Sequence, residues 1–305
     1  MKIKEALQNL AVFPSESRNL ELPDALFSQL LHLPKFAMEM PRLQFPKALL
    51  IFSVDIDAGN KRLGLINGGK NDSNVHNYIN EYKIGELEEQ GFPLLLEAFN
   101  SFEVPVTFGV RGQLTGIDSP LIPLILNAPV KHDIGSHGFT HKKFEDMSQK
   151  EAEDELNMIS IGMNKYGIVP KSFIFPRNSV SHLESLQKFG YECYRESGNL
   201  LNDGMYIQRK GLLCDVHPSL YITQNAQVTF LKSLLNIAIE KRTPLHLWCH
   251  TWSFGETIAQ IKEKIDCVLV EFLRYAKAQE EKNLLQFDTM LSASRKARRL
   301  IERAA

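Results

Sequence analysis

Residues 48–57 read ALLIFSVDID, an apolar run that ends in two carboxylates, Asp55 and Asp57. A strand that is buried on both faces has this composition, because neither of its faces meets water. Side chains at alternate positions of a strand point to the same face, so the two aspartates project together from its carboxyl end. The run therefore predicts a buried strand with two acidic side chains at its end.

Further apolar runs alternate with helical patterns along the rest of the chain. Strands are expected at 104–110, 130–137, 172–176, 191–195, about 207–216, 244–250 and 284–287. Helices are expected at about 88–102, 148–166 (opened by a capping box of Ser148 and Glu151), 181–189, 226–241 and 257–279, and at the basic C-terminus. This alternation predicts parallel strands joined by right-handed crossovers. About seven or eight such units favour an α/β fold of the distorted (β/α)7-8 barrel kind over an open sheet.

The first 46 residues differ in composition from the rest. Five prolines interrupt them, and one short helix is expected from Asp24 to about His32. We interpret residues 1–46 as an N-terminal extension that packs on the barrel. Residues 47–305 then form the barrel domain with its basic C-terminal helix.

Charge and cysteine content exclude several classes of partner and location. The net charge of -1 provides no field that would attract nucleic acid or anionic lipid, and the basic run 295–299 is interpreted as a solvated helix face. The cysteines form no C-x-x-C pair and are read as reduced thiols. MKIKEALQNLAVF lacks a signal-peptide pattern, and no apolar run reaches the about 18 residues of a membrane span. We expect a cytoplasmic protein.

Unusual polar residues follow four of the expected strands. Asp55 and Asp57 end the first strand, His137 ends the run at 130–137, Arg177 follows the strand at 172–176, and His250 ends the strand at 244–250. Barrel enzymes assemble their active sites from several strands at this carboxyl edge. The positions therefore predict one shared site.

These residue types suit a metal-dependent hydrolase. His137 and His141 are four residues apart, so on a helical turn they would face one cation. Asp57 can complete three ligands while Asp55 takes a proton from water. His250 suits the donor of a proton to a leaving nitrogen. Each feature also has a structural interpretation. The two histidines can be loop residues, the two aspartates can form a turn that ends the strand, and His250 can be a packed core residue.

Arg177 has two interpretations of its own. It can hold the carboxylate of the base and keep the pKa of that carboxylate low, or it can pair with another acidic residue at the rim.

With these motifs, residues 45–290 resemble the polysaccharide deacetylases, which are also known as carbohydrate esterase family 4 or the NodB-homology group. The resemblance implies a distorted barrel that binds zinc, or else cobalt, nickel or manganese, and hydrolyses the N-acetyl group of a sugar or polysaccharide. It also implies the residue roles, in which the metal is held by Asp57, His137 and His141, and catalysis is by Asp55, His250 and Arg177. Trp252 and the loop at 58–80 are expected to shape the substrate pocket.

Three departures from the family pattern bear on the substrate. Asp-Ile-Asp replaces adjacent aspartates, Gly138 replaces Ser or Thr, and the arginine motif reads Pro-Arg. The Asp-Ile-Asp form resembles a branch that hydrolyses other amide C–N bonds, so this activity is an alternative. For the aspartate that tunes the catalytic histidine in the family, Asp215 is the candidate. The expected role is the processing of a sugar intermediate, for example for a surface polysaccharide, or the degradation of a small amide.

Other functions fit the sequence less well. An Asp-x-Asp glycosyltransferase needs βα units upstream of Asp55 for its nucleotide pocket, and only a proline-rich stretch precedes it. A non-haem iron oxygenase needs an H-x-D arrangement that is missing. A non-catalytic sugar-binding relative would not need to keep all five of Asp55, Asp57, His137, His141 and His250.

Overall fold

The strand β1, Ala48–Ile56, lies inside the sheet, and each of its residues is buried. The computed structural model describes residues 43–59, 61–66, 81–117, 119–196 and 205–304. Along one edge β1 pairs in parallel with β9, Pro244–His250. Along the other edge it pairs first with β10, Leu285–Asp288, and then with β2, Thr107–Val110. The strand expected at 48–57 is therefore present, with a partner on both sides.

The remaining described strands complete a curled sheet. They are β3, Asp133–Ser136; β4, Ser172–Ile174; β5, Cys193–Arg195; β6, Ile207–Lys210; β7, Leu213–Val216; and β8, Leu220–Tyr221. Their order is β6-β7-β5-β4-β3-β2-β1-β9-β8, and the pairs are parallel except for the β6–β7 hairpin.

The sheet is curled, and a short segment of the chain connects its two ends. Residues 217–219 join β7, near one end of the order, to β8 at the other. Within this link Ser219 donates its backbone N–H to the carbonyl of His246 on β9, at 2.7 Å. The α/β distorted barrel expected from the alternation is confirmed.

The described helices lie between the strands in sequence, except for the last helix, which follows β10. They are α1, Lys61–Ile66; α2, Glu81–Ser101; α3, Leu121–Leu126; α4, Gln149–Asn164; α5, Leu183–Lys188; α6, Val228–Lys241; α7, Ile258–Lys264; α8, Glu271–Glu281; and α9, Met290–Ala304. A π-helical segment, Ile265–Val270, joins α7 to α8. None of these described helices has the length and apolar composition of a bilayer span.

Several sequence expectations need correction. The strand expected at 207–216 is the β6–β7 hairpin, because the chain turns at Gly211, whose φ is 65°. The helix expected to begin near residue 88 begins at Glu81, and the loop expected at 58–80 contains α1. The short helix expected at 24–32, the rest of the extension up to residue 42, and residues 67–80 lie outside the described residues. The domain boundary at 46/47 stays a prediction.

Along one face of β1, apolar side chains near the amino end are followed by polar side chains at the carboxyl end. Leu49 and Ile51 belong to a small apolar cluster with Met290 and Ala293 of α9. Ser53 and Asp55 follow at the next alternate positions, so they share that face at the carboxyl end of the strand. The larger core, which contains Leu50, Phe52 and Val54 with residues of α2, α6 and α8, lies on the other face.

Candidate active site

Asp57 lies between two groups of side chains, one on each of its carboxylate oxygens. Its Oδ1 is 3.3 Å from His137 Nε2 and 3.4 Å from His141 Nε2. Its Oδ2 is 3.4 Å from His250 Nε2 and accepts a hydrogen bond from Trp252 Nε1 at 3.3 Å. All five side chains are buried or nearly so. The carboxylate therefore divides the site into a two-imidazole side and a His250 side.

The donor atoms on the two-imidazole side fit a divalent metal ion. Ligands of a tetrahedral zinc ion with bonds of ~2.05 Å lie about 3.3 Å apart, which matches the separations of Asp57 Oδ1 from the two imidazole nitrogens. The three ligand atoms lie within 4.8 Å of one another. His137 Nδ1 lies 2.9 Å from the carbonyl oxygen of Ile174, a contact that fixes the proton on Nδ1 and leaves the Nε2 lone pair for a cation. Charge and geometry both suit such an ion.

The surroundings keep Asp57 ionised. Burial by itself raises the pKa of this carboxyl, but the nearby His250, His141 and His137 more than offset that effect and hold its pKa well below 3.8. Asp57 is therefore an anion at neutral pH, as a metal ligand must be.

The histidines meet through a loop, not through the helical turn that their spacing suggested. His137 follows β3, and both Gly138 and His141 have a left-handed backbone with φ of 65°. A Cβ at Gly138 would lie 2.7 Å from Pro176 Cγ, so the close approach of that proline requires glycine. Glu155 of α4 holds the loop by accepting the backbone N–H groups of Phe139 and Thr140, at 2.7 and 2.9 Å.

A second buried carboxylate holds the turn that carries Asp57. Glu88 of α2 accepts the N–H groups of Asp57 at 3.1 Å, of Ala58 at 2.9 Å, and of Gly59. Burial and the charge of Asp57 raise the pKa of Glu88 to about 8, although the three N–H groups oppose this. Arg111 donates to the carbonyl oxygens of Asp57 and Thr140, each at 3.0 Å, and so ties this turn to the histidine loop.

Asp55 is held by Arg195 at the end of β5. The guanidinium donates to both carboxylate oxygens, at 2.7 Å to Oδ1 and closely to Oδ2, and to Ser53 Oγ at 2.9 Å. It also lies 4.3 Å above the ring of Trp248. Burial raises the pKa of Asp55, but Arg195 and then His137 outweigh it, so that the pKa is lowered below 3.8. Asp55 is thus a fixed anion, with Oδ2 3.8 Å from His250 Nε2.

His250 has a defined partner on each ring nitrogen. Its Nε2 faces Asp55 and Asp57, and its Nδ1 lies 3.1 Å from the hydroxyl of Tyr221 on β8. The ring of Trp252 lies alongside, with centroids 4.3 Å apart. A side chain oriented in this way can carry a proton to a group that approaches its Nε2.

Comparison with known proteins agrees with this geometry. The family model described as polysaccharide deacetylase matches residues 81–194. Residues 81–194 of this chain are thus similar to the polysaccharide deacetylases. A peptidoglycan deacetylase from Helicobacter pylori (strain ATCC 700392 / 26695) is 27% identical over 147 residues, which are 47% of either chain. This chain therefore spans about half the length of the curated relative that it matches.

Solved structures share the fold of this chain. A protein from Mycobacterium smegmatis that is assigned to the polysaccharide deacetylases superposes with a TM-score of 0.63 at 17% identity, over 85% of this chain and 94% of that chain. A protein from Pseudomonas aeruginosa PAO1 with the same assignment gives 0.63 at 15%, over 88% and 97%. The structure of Puue allantoinase gives 0.63 at 13%, over 87% and 95%. At these identities the likeness concerns the fold.

The structure brings six of the seven predicted side chains together, namely Asp55, Asp57, His137, His141, His250 and Trp252. Arg195 makes the bidentate pair with Asp55, a contact that was one of the two interpretations given for Arg177. Arg177 lies half-buried in a short turn with a left-handed φ of 55°, and its charge interacts with that of Asp57. The physical reason is direction, because the end of β5 points Arg195 into the barrel under Asp55.

The candidate for tuning His250 also needs correction. Asp215 lies on β7 beside His217 and Lys210, and the Nδ1 of His250 meets Tyr221 instead. Trp252, predicted to contact substrate, donates to Asp57 and packs on His250 within the site.

Sequence reasoning missed Arg195, Tyr221, Glu88 and Arg111. For Arg195 a signal was available, because this charged residue ends the expected strand at 191–195.

Proposed function

We propose that this protein is a metal-dependent deacetylase that hydrolyses the N-acetyl group of a sugar or polysaccharide intermediate. The observation that carries the proposal is the divided Asp57 carboxylate, which faces two imidazoles on one oxygen and His250 on the other. Amide hydrolysis needs an electrophilic centre, a base for water and an acid for the amine, and these three functions correspond to the three parts of the site.

The metal would be held by Asp57, His137 and His141, as their donor atoms and spacing allow. Zinc is the proposed ion, with cobalt, nickel or manganese as alternatives. A divalent ion at this position supplies Lewis acidity to the acyl carbonyl and lowers the pKa of water at the site to about 7.

Asp55 is the proposed base. Its carboxylate is anionic, is held by two hydrogen bonds from Arg195, and has its Oδ2 4.0 Å from His137 Nε2, next to the proposed ion. From this position it accepts the proton of the attacking water. Because Arg195 is itself fixed by Ser53 and Trp248, the base does not have to be oriented when substrate arrives.

His250 is the proposed acid for the leaving nitrogen. Its Nε2 lies 3.8 Å from Asp55 Oδ2, so the proton that the base accepts has a short path to the imidazole. Tyr221 holds Nδ1 at 3.1 Å, which fixes the plane of the ring. Burial raises the pKa of the Tyr221 hydroxyl well above 10, so this partner stays neutral throughout the reaction.

A comparison with a known protein supports the proposed substrate class. The matching relative is described as a peptidoglycan deacetylase, which supports a glycan bearing N-acetyl groups. A cytoplasmic location, which we propose because all four cysteines are free thiols, would suit a soluble sugar intermediate made before export.

The test is an acetate-release screen over N-acetyl sugars and sugar nucleotides, with metal analysis of each variant. Asp57→Asn should lose metal and activity together, because it removes a ligand charge. Asp55→Asn should keep the metal and lower kcat by roughly 10²–10⁴. Allantoin and other amides belong in the screen, because Asp-Ile-Asp separates the two aspartates.

The matched control replaces a histidine outside the site. His182 contacts the carbonyl of Met147 at 2.9 Å, so His182→Gln should leave metal content and activity unchanged, whereas His137→Gln should lose both. Full activity of Asp55→Asn would refute the assigned base. Release of no acetate from any N-acetyl sugar, with hydrolysis of another amide, would refute the proposed substrate.

A further inference from the structure

A second group of metal-ligating side chains lies behind the active site, on the outer face of the barrel wall. Tyr194 precedes Arg195 on β5 and so points away from the barrel interior, and Asp215 is its partner on β7. Glu196 and His217 directly follow these two strands. The sheet therefore separates this group from Asp55 and Arg195.

The three side chains present converging donor atoms. His217 Nδ1 is 3.6 Å from Glu196 Oε1 and 3.8 Å from Asp215 Oδ2. One donor atom from each of the three residues lies within 4.8 Å of the other two. The ring of His217 stacks on Tyr206 at 4.4 Å and 14°, so its orientation is set by packing.

The environment of Asp215 is unusual for a buried carboxylate. The residue has no exposed surface, and neither carboxylate oxygen has a hydrogen-bond partner among the described residues. The ammonium of Lys210 lies close by, with its Nζ 3.9 Å from Oδ2. Burial raises the pKa of Asp215 to about 6. A carboxylate in such a position is costly unless a cation or a close donor compensates for it.

Lys210 is a replaceable counterion. Its Nζ is 3.3 Å from Glu196 Oε2, and its side chain is already 38% exposed, so the ammonium can turn into solvent. The Glu196 side chain is 21% exposed and gives an ion a path of entry. The group is thus reachable although Asp215 and His217 are buried.

We propose that Glu196, Asp215 and His217 form a second divalent-cation site, distinct from the centre at Asp57. Two carboxylates and one imidazole are ligands suited to Mn²⁺ and to Zn²⁺. Because two of the three ligands are carboxylates, whose oxygens suit Mn²⁺, we take Mn²⁺ as the proposed ion. The ion would replace the ammonium of Lys210 and compensate for the buried charge of Asp215. Bound there, it would link the ends of β5 and β7 behind Arg195.

The test counts Mn²⁺ ions bound to the full chain after removal of metals with EDTA, by electron paramagnetic resonance of free Mn²⁺. An equivalent that survives Asp57→Asn and disappears in Asp215→Asn supports the proposal. Loss of all Mn²⁺ binding in Asp57→Asn, with unchanged binding in Asp215→Asn, overturns it. Because the two sites are scored by different variants, this result is independent of whether the protein releases acetate.

Lys210→Met separates a metal site from a simple ion-pair network without altering a ligand. If the ammonium competes with the ion, its removal should tighten Mn²⁺ binding roughly fivefold, the effect of losing two partly exposed ion pairs. Lys188→Met, which removes a similar partly exposed pair with Glu153, is the control and should leave the affinity unchanged. Unchanged or weaker Mn²⁺ binding in Lys210→Met overturns the proposal.

Discussion

Replacing Arg195 by methionine tests how Asp55 is held. Arg195 is 1% exposed and donates to both oxygens of Asp55 and to Ser53 Oγ, so methionine leaves a buried carboxylate without its counter-charge. Loss of one partner of a buried ion pair costs about 3–5 kcal/mol. For a domain of this size we expect a fall in Tm of roughly 10 °C.

A double variant tests the Asp55–Arg195 pair directly. In Asp55→Asn/Arg195→Met no buried charge is left uncompensated, so the free energy of unfolding should recover part of what Arg195→Met loses. The pH dependence of stability that Asp55 contributes should also reverse in Arg195→Met. In the wild type its pKa is lowered, so its contribution to stability is present above pH ~4 and is lost as the pH falls through the folded value. In Arg195→Met burial dominates, the pKa is raised, and stability should increase on acidification from pH 7.

The assay is urea unfolding followed by circular dichroism in EDTA, which removes any contribution from metal binding. The control is Arg177→Met, because Arg177 is half-buried and does not make the pair with Asp55. It should change the free energy of unfolding by less than about 1 kcal/mol. A cost below 1 kcal/mol for Arg195→Met, or an equal cost for Arg177→Met, would refute the reasoning.

Two further predictions concern the residues that position the site. Tyr221→Phe removes the hydroxyl at His250 Nδ1, so kcat should fall roughly tenfold and the pH profile of kcat should shift, while the metal content stays unchanged. Steady-state kinetics and metal analysis check this result. The control Tyr275→Phe, at an exposed hydroxyl, should change neither kcat nor the metal content. Glu88 has its pKa raised from 4.5 to about 8 by burial and by Asp57, so the folded metal-free protein binds its proton more tightly than the unfolded chain does. Its contribution to stability is therefore present below pH 4.5 and is lost as the pH rises to about 8, and Glu88→Gln should flatten that slope in urea titrations, whereas an unchanged slope would contradict the assignment.

Much of the fold could be predicted because its signals are local. The apolar run before Asp55 and the capping box at Ser148 each specify one element, and the structure contains both. The helix start at Glu81 and the hairpin at 207–216 were harder to predict. The first depends on packing against distant elements, and the second depends on a turn at Gly211 that a two-fold hydrophobic pattern does not reveal.

The positions of the site residues followed from strand ends, but their partners did not. Arg177 follows one predicted strand and Arg195 ends another, and only the direction of each side chain decides which one reaches Asp55. Asp215 was a poor candidate partner for His250 because its register with Tyr194 turns it to the outer face. Tyr221 lies on a two-residue strand, which is too short to give a periodic signal.

The most direct test of the metal centre is anomalous diffraction from crystals grown with Zn²⁺ or Co²⁺. A metal peak within about 2.0–2.2 Å of Asp57 Oδ1, His137 Nε2 and His141 Nε2 is the predicted result. Ligands supplied by other residues, or these three donors bonded only to water at saturating metal, would contradict it.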